Sequence, residues 1–182
     1  MAARSAAHSK ALAAIDEHRD GLIELSLRIH RNPELGYQER QASTWLATFL
    51  EGAGFAVQRA YRGIETSYRA DARAKQGGPT VAILSEYDAL PDIGHACGHN
   101  LIAIIGVGAA IGVRAALDGL SGGVAAIGTP AEEGKGGKVA LLRGGGFDDV
   151  DVAMMVHPSS RTLSSRTSLA SNRVFLEFRG KA

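Results

Sequence analysis

Residues with donor chemistry recur in a suggestive order along this 182-residue chain: Glu86 and Asp88, then Cys97 and His99, then the pair Glu132-Glu133, then His157. A divalent cation such as zinc accepts thiolate, imidazole and carboxylate together, so metal ligation is the reading that uses all of these residues at once. In Cys97-Gly98-His99 the central glycine lets the backbone turn, so that ligands two positions apart can point into one site. Adjacent carboxylates such as Glu132 and Glu133 point in different directions. One can bind metal while the other takes a proton from a water as general base.

Each residue also has a plainer reading. A lone buried cysteine is usually inert packing, a histidine at a strand end is usually hydrogen-bonded structure, and paired glutamates are usually a solvated loop. Their shared placement at strand ends favours the metal reading. A Cys97 nucleophile with His99 as base is a further option, but residues two apart in a tight loop reach each other only in an unusual conformation. Two other motifs fail. Gly128 to Lys135 (GTPAEEGK) has five residues between its glycines where a phosphate loop has four, and Gly136 follows the lysine. Gly106, Gly108 and Gly112 lie within a helix and do not form GxGxxG.

The elements that must position these residues alternate between helix and strand. Leu12, Ile15, Leu22, Leu25 and Ile29 recur near the helical period over residues 9–30, and Asn32-Pro33 ends the run. A second helix covers residues 38–51, with strands near 55–61 and 66–72. Thr80–Leu84, Gly123–Ile127 and Val150–Val156 read as strands buried on both faces of a parallel sheet, with a small-residue helix over 101–117 between the first two. A short helical turn covers 139–142. This pattern predicts an α/β domain with a largely parallel central sheet, and all the donor residues fall beyond the carboxyl ends of its strands, where open sheets bind ligands.

Composition limits the partners. With 20 Lys+Arg against 19 Asp+Glu, the net charge of +1 lacks the footprint of a nucleic-acid binder. Mean hydropathy is -0.02, and the longest apolar stretch, Leu101 to Val113, is too short to cross a bilayer, so no membrane is expected. One cysteine excludes an intramolecular disulfide framework, and the N-terminal residues lack the apolar core of a signal peptide. The expected location is the cytoplasm. Glycine, 23 of 182 residues, is the one excess, and most of it lies after residue 93.

Four segments together carry a family resemblance: EYDALP at 86–91, GHACGHN at 94–100, GTPAEEG at 128–134 and VHP at 156–158. In this order they resemble the peptidase M20 family of metal-dependent amidohydrolases, closest in wording to the branch that holds an aminobenzoyl-glutamate hydrolase and the M20 dipeptidases. The resemblance implies a three-layer αβα zinc-peptidase-like catalytic domain holding two divalent metal ions, zinc or manganese. It implies Cys97, His99, Glu133 and His157 as metal ligands, Glu132 as general base and Asp88 as the acidic residue supporting the centre. Glu86 stands where other branches carry a metal-binding histidine, and His95 is a candidate to support the ligands.

The implied activity is hydrolysis of an amide bond in a dipeptide or an N-acyl or aminobenzoyl amino acid, by a protein that is a homodimer at full length. Family members are about twice this length, with a smaller α/β lid and dimerisation domain inserted in the catalytic domain. Residues 1–172 therefore correspond to the N-terminal part of the catalytic domain, and residues 173–182 to the first strand of the insert, with Val174, Leu176 and Phe178 on one face. The insert's histidine and a further metal-binding histidine of the returning segment lie outside this sequence, so these residues alone are expected to be inactive. The alternative is a truncated, catalytically inactive metal-binding or interaction module.

Overall fold

Ser5 opens the first helix, its hydroxyl accepting the His8 N–H. In the computed structural model, which describes residues 5–163, 174 and 176–181, that helix is α1, Ala6–Glu17, and α2 follows as Arg19–Arg31. The single helix expected over 9–30 is thus divided at His18. Its backbone N–H is shared between the Ala14 and Ile15 carbonyls, and its ring Nδ1 donates to Ala14 O at 2.9 Å. Helix α3, Arg40–Gly52, is capped from a distance: the Glu34 carboxylate accepts the N–H groups of Gln41 and Ala42 at 3.0–3.1 Å. Leu46 and Leu50 on its inner face are fully buried, each worth about 1.5–3 kcal/mol of transfer free energy.

Five strands form one sheet: β1 Ala56–Arg59, β2 Tyr68–Arg73, β3 Thr80–Ser85, β4 Gly123–Gly128 and β5 Val152–Met154, in the order β1-β2-β4-β3-β5. β3 pairs in parallel with β4 and β5, whereas β1–β2 and β2–β4 are antiparallel. The sheet is mixed rather than largely parallel. Its parallel part is the part that carries the donor residues. The antiparallel pairings arise because a short turn folds β2 back along β1 and leaves it beside β4.

Helices cover both faces, giving three layers. Side chains of α2, α3 and α4 (His99–Ala116) pack with Tyr68, Ala70, Val124 and Ala126 on one face. On the other, Ala82, Ala125 and Ile127 meet Tyr61 and Leu141, the latter from α6 (Gly137–Arg143). Between β4 and α6 lies the one-turn α5, Glu132–Lys135. Gly106 lets α4 lie close against β3, since a Cβ there would stand 2.9 Å from the Leu84 carbonyl oxygen. With the turn that follows it, α4 gives a helical segment of 21 residues, His99–Gly119, long and apolar enough to cross a membrane by length and composition. This exceeds the 13-residue stretch visible in the sequence, because small and polar residues at both ends join the helix. Here it is the central core helix, 61% buried.

The segment expected to be a buried strand at its C-terminal side is an exposed edge. Val152 and Met154 are 49% and 59% exposed, because β5 has β3 on one side and no strand on the other among the described residues. The wet-faced strand expected at 173–182 lies partly outside the described residues, and 176–181 belong to no strand.

Buried Arg69 on β2 ties the sheet to the loop before β5. Its guanidinium donates to Asp149 at 2.6 and 2.7 Å, to Asp71 at 2.9 Å and to the Tyr61 hydroxyl at 3.0 Å. The Arg69 guanidinium holds the Asp149 carboxyl below the usual carboxylate range. A depressed folded pKa contributes stability that is present above the unfolded value, near 3.9, and is lost as pH falls through the lower folded value. Asp149→Asn is therefore expected to cost about 1 kcal/mol at neutral pH, since the pair is half exposed. It should also flatten the loss of stability below about pH 4. Urea titrations at stepped pH check both effects.

Candidate metal centre

The ends of β3, β4 and β5 feed three loops into one cluster, as the strand-end pattern anticipates. After β3, the loop through Glu86 and Asp88 runs to the start of α4. Gly98 there sits at φ +83°, the left-handed conformation in which the chain turns from Cys97 into His99. His99 is completely buried. Its Nδ1–H donates to the Asp88 carbonyl at 2.8 Å and lies 3.1 Å from Asp88 Oδ1. That fixes the tautomer and presents Nε2 with its lone pair free. His157, beyond β5, is set in the same way: Nδ1 donates to the Pro158 carbonyl at 2.8 Å, and Nε2 lies 3.6 Å from Cys97 Sγ.

Two trios of donor atoms converge, each with its atoms within 4.8 Å of one another: Cys97, His99 and His157, and Glu86, His99 and Glu132. His99 belongs to both. Its Nε2 stands 3.8 Å from Glu132 Oε2 and 3.7 Å from Glu133 Oε1. Asp88 makes no approach to the centre itself but braces it from two sides, its Oδ2 accepting the Glu133 N–H at 2.8 Å. The six site residues anticipated from sequence are all brought together. His95 is buried too: burial, with His99 and His30 nearby, pushes its pKa down to about 4, so it is neutral.

Two contributors, Lys138 and Glu39, had no role assigned from sequence, and Glu86, one of the donor residues there, had no place in the ligand set that the family resemblance implies. Glu86, cast as a departure from other branches, is 1% exposed and directs Oε2 at His99 Nε2, 3.3 Å away. Lys138 pairs with its other oxygen. Glu39, fully buried, accepts the Ala131 N–H at 2.8 Å. The position of Glu86 directly after a buried strand was a usable signal. Glu39 gave none, because it meets Ala131 across 92 positions of sequence.

The electrostatics favour a cation. His99 Nε2 and Glu86 Oε2 are buried and have no hydrogen-bond partner among the described residues. Glu86, Glu132 and Glu133 bring three carboxylates within 3.8 Å of Nε2, and Lys138 pairs with one of them, so a positive charge at Nε2 is favoured. Burial, and then the Glu133 carboxylate, push the Cys97 thiol up to about 11. A thiol so protonated is a poor nucleophile, and its hydrogen-bond contact is with His157 and not with His99, so the Cys97–His99 dyad finds no support. Burial opposes a charged His99, but the Asp88 and Glu86 carboxylates outweigh it and raise its pKa. The orphaned atoms and the thiol, imidazole and carboxylate donors suit a divalent metal ion.

Known proteins share both sequence and fold with this chain. The chain is 42% identical to the Xaa-Arg dipeptidase of Mus musculus, over 95% of this chain and 43% of that protein. It is 34% identical to a subunit of the p-aminobenzoyl-glutamate hydrolase of Escherichia coli (strain K12), over 93% and 39% respectively. Among solved structures, the Bacillus subtilis YXEP protein, described as a dinuclear metal binding peptidase from the M20 family, matches with a TM-score of 0.69 and 26% identity, over 76% of this chain and 42% of that one. In sequence and fold the chain is similar to the M20 peptidase family. An aminobenzoyl-glutamate utilization protein from Klebsiella pneumoniae shares the fold of this chain, with a TM-score of 0.66 at 22% identity over 79% of this chain and 45% of that one. No protein-family model matches the sequence. The chain spans about two fifths of the length of these curated relatives.

Proposed function

We propose that this protein is a metal-dependent hydrolase that cleaves an amide bond in a dipeptide or in an N-acyl or aminobenzoyl amino acid. The observation that carries the reading is the buried pair His99 Nε2 and Glu86 Oε2, neither with a hydrogen-bond partner among the described residues, inside a cluster of thiol, imidazole and carboxylate donors. Cys97, His99, Glu133 and His157 would hold two divalent ions, zinc or manganese, the thiol inclining the choice towards zinc. Bound metal supplies Lewis-acid polarisation of the substrate carbonyl and a more acidic water. Glu132, with a side chain 40% exposed beside His99, is open to solvent and substrate. Its carboxylate takes the proton of the attacking water and passes it to the leaving amine. Asp88 holds the His99 ring and the Glu133 backbone in place throughout.

The names of the relatives support the substrate class: one is a dipeptidase named for Xaa-Arg and another a hydrolase named for p-aminobenzoyl-glutamate, and in both compounds an amide bond joins the two parts. Within the same reading the protein works in the cytoplasm, where the lone Cys97 thiol stays reduced, and it acts as a homodimer on a small-molecule substrate. The test uses the complete gene product, with metal content measured beside hydrolysis of Xaa-Arg and β-alanyl dipeptides, p-aminobenzoyl-glutamate and N-acetyl amino acids. Hydrolysis abolished by chelation and restored by zinc or manganese is expected. A metal-loaded protein that cleaves no member of the panel overturns the reading.

A further inference from the structure

The Glu132–Glu133 turn has little regular structure of its own to hold it. Glu133 has ψ 70° and Gly134 φ +92°, so no helical ladder runs through the turn, and Ala131 before it sits at φ +58°, ψ 43°. That left-handed conformation is costly for a residue with a Cβ and persists only where the surroundings impose it. Here they do. Glu39 Oε1 accepts the Ala131 N–H at 2.8 Å, and the Glu39 side chain is fully buried. Gly36, three residues earlier, lies so close that a Cβ on it would stand 3.0 Å from both Ala131 Cα and Cβ. The Gly36 carbonyl in turn accepts from Lys135 Nζ at 2.8 Å. Residues 36–39 therefore grip the turn at both ends, at Ala131 before the glutamates and at Lys135 after them.

Glu39 is not occupied with capping its own helix. In the first turn of α3 the Arg40 N–H goes to the Gln38 carbonyl, and those of Gln41 and Ala42 are taken by Glu34. We propose that Glu39 is a positioning residue for the Glu132–Glu133 pair: by accepting the Ala131 N–H it fixes the left-handed backbone that sets both carboxylates beside His99. The consequence for catalysis rests on the hydrolase reading; the consequence for metal geometry does not. Burial pushes the Glu39 carboxyl above the ordinary carboxylate range. Accepting the Ala131 N–H needs only a side-chain carbonyl oxygen at that place, and glutamine supplies one.

The test compares Glu39→Gln, Glu39→Ala and Lys135→Met in the complete gene product, reading kcat, KM and the visible absorption of the cobalt(II)-loaded protein. Glu39→Ala is expected to lower kcat by about 10²-fold, the effect of a displacement near 1 Å at reacting groups, with KM changed by less than about threefold. Its cobalt spectrum should shift, through Glu133. Glu39→Gln should restore both kcat and spectrum, and Lys135→Met should give a smaller loss in the same direction as Glu39→Ala. Unchanged kcat and cobalt spectrum in Glu39→Ala overturn the proposal, as does a Glu39→Gln variant as impaired as Glu39→Ala. If Glu39→Ala shows no cooperative thermal transition, the exposed Lys135→Met variant decides, and an unaltered cobalt spectrum there overturns the proposal. A wild-type protein that binds cobalt yet hydrolyses nothing would sink the hydrolase reading alone, because the spectral comparison still tests the positioning.

Discussion

Glu132→Gln is expected to lower kcat by about 10²–10⁴-fold, the range that a positioned general base supplies, while metal content stays that of the parent. The substitution keeps the shape of the side chain and removes only its ability to take a proton. Glu132 Oε2 lies at 3.8 Å from His99 Nε2, and the side chain is partly open to solvent, so glutamine leaves no buried charge unpaired. Its neighbour Glu133 differs in kind: its backbone is tied to Asp88, and its side chain is more enclosed, at 22% exposure. Replacing Glu133 should therefore cost metal as well as rate, and the contrast separates proton transfer from ligation. Rates on the best substrate of the panel, with metal measured on the same samples, give the answer. Activity of Glu132→Gln within about threefold of the parent would remove Glu132 from the proton-transfer role.

His99→Ala should strip the centre of metal and weaken the fold together. His99 is the one donor common to both trios, so its loss leaves each with two. It also leaves Asp88 and Glu86, each 1% exposed, facing a void where an imidazole stood. Breaking a buried charge-assisted pair by removing one partner costs about 3–5 kcal/mol. Metal analysis after gel filtration and thermal denaturation check the two effects, and retention of the parent's metal content would exclude His99 as a ligand. Asp88→Asn is the milder companion. It keeps the backbone carbonyl that accepts the His99 Nδ1–H and alters only the carboxylate, so metal affinity should fall about 10–100-fold.

What was legible beforehand was whatever short-range rules control. Cys97-Gly98-His99 announced a turn with two donors, and Gly98 adopts that turn at φ +83°. The strands Thr80–Ser85 and Gly123–Gly128 stood out as apolar runs because both of their faces are covered. The misreadings share a cause: burial and pairing depend on what lies across the sheet, which no local window contains. Val152–Met154 has the composition of a core strand but lies at an edge. The antiparallel placement of β2 beside β4 follows from a pairing between residues at least fifty positions apart. His18 interrupts a helix whose periodicity runs on through it: its N–H is divided between two carbonyls, and its ring adds a second donor at Ala14 O. Glu39 falls inside the helix expected over 38–51 with nothing local to mark it, and only its partner Ala131, 92 positions away, reveals its contact.

The cluster is stitched almost wholly from distant stretches of chain: His99 to Asp88 across 11 residues, Glu133 to Asp88 across 45, Cys97 to His157 across 60 and Ala131 to Glu39 across 92. Closing loops of that length costs entropy that local contacts do not repay, so the donors stand together only where β3, β4 and β5 are paired. A growing or unfolded polypeptide thus carries its thiol and imidazoles as scattered, weak donors. A metal ion that needs those donors together would bind the folded chain and not the unfolded one, and would add to its stability accordingly.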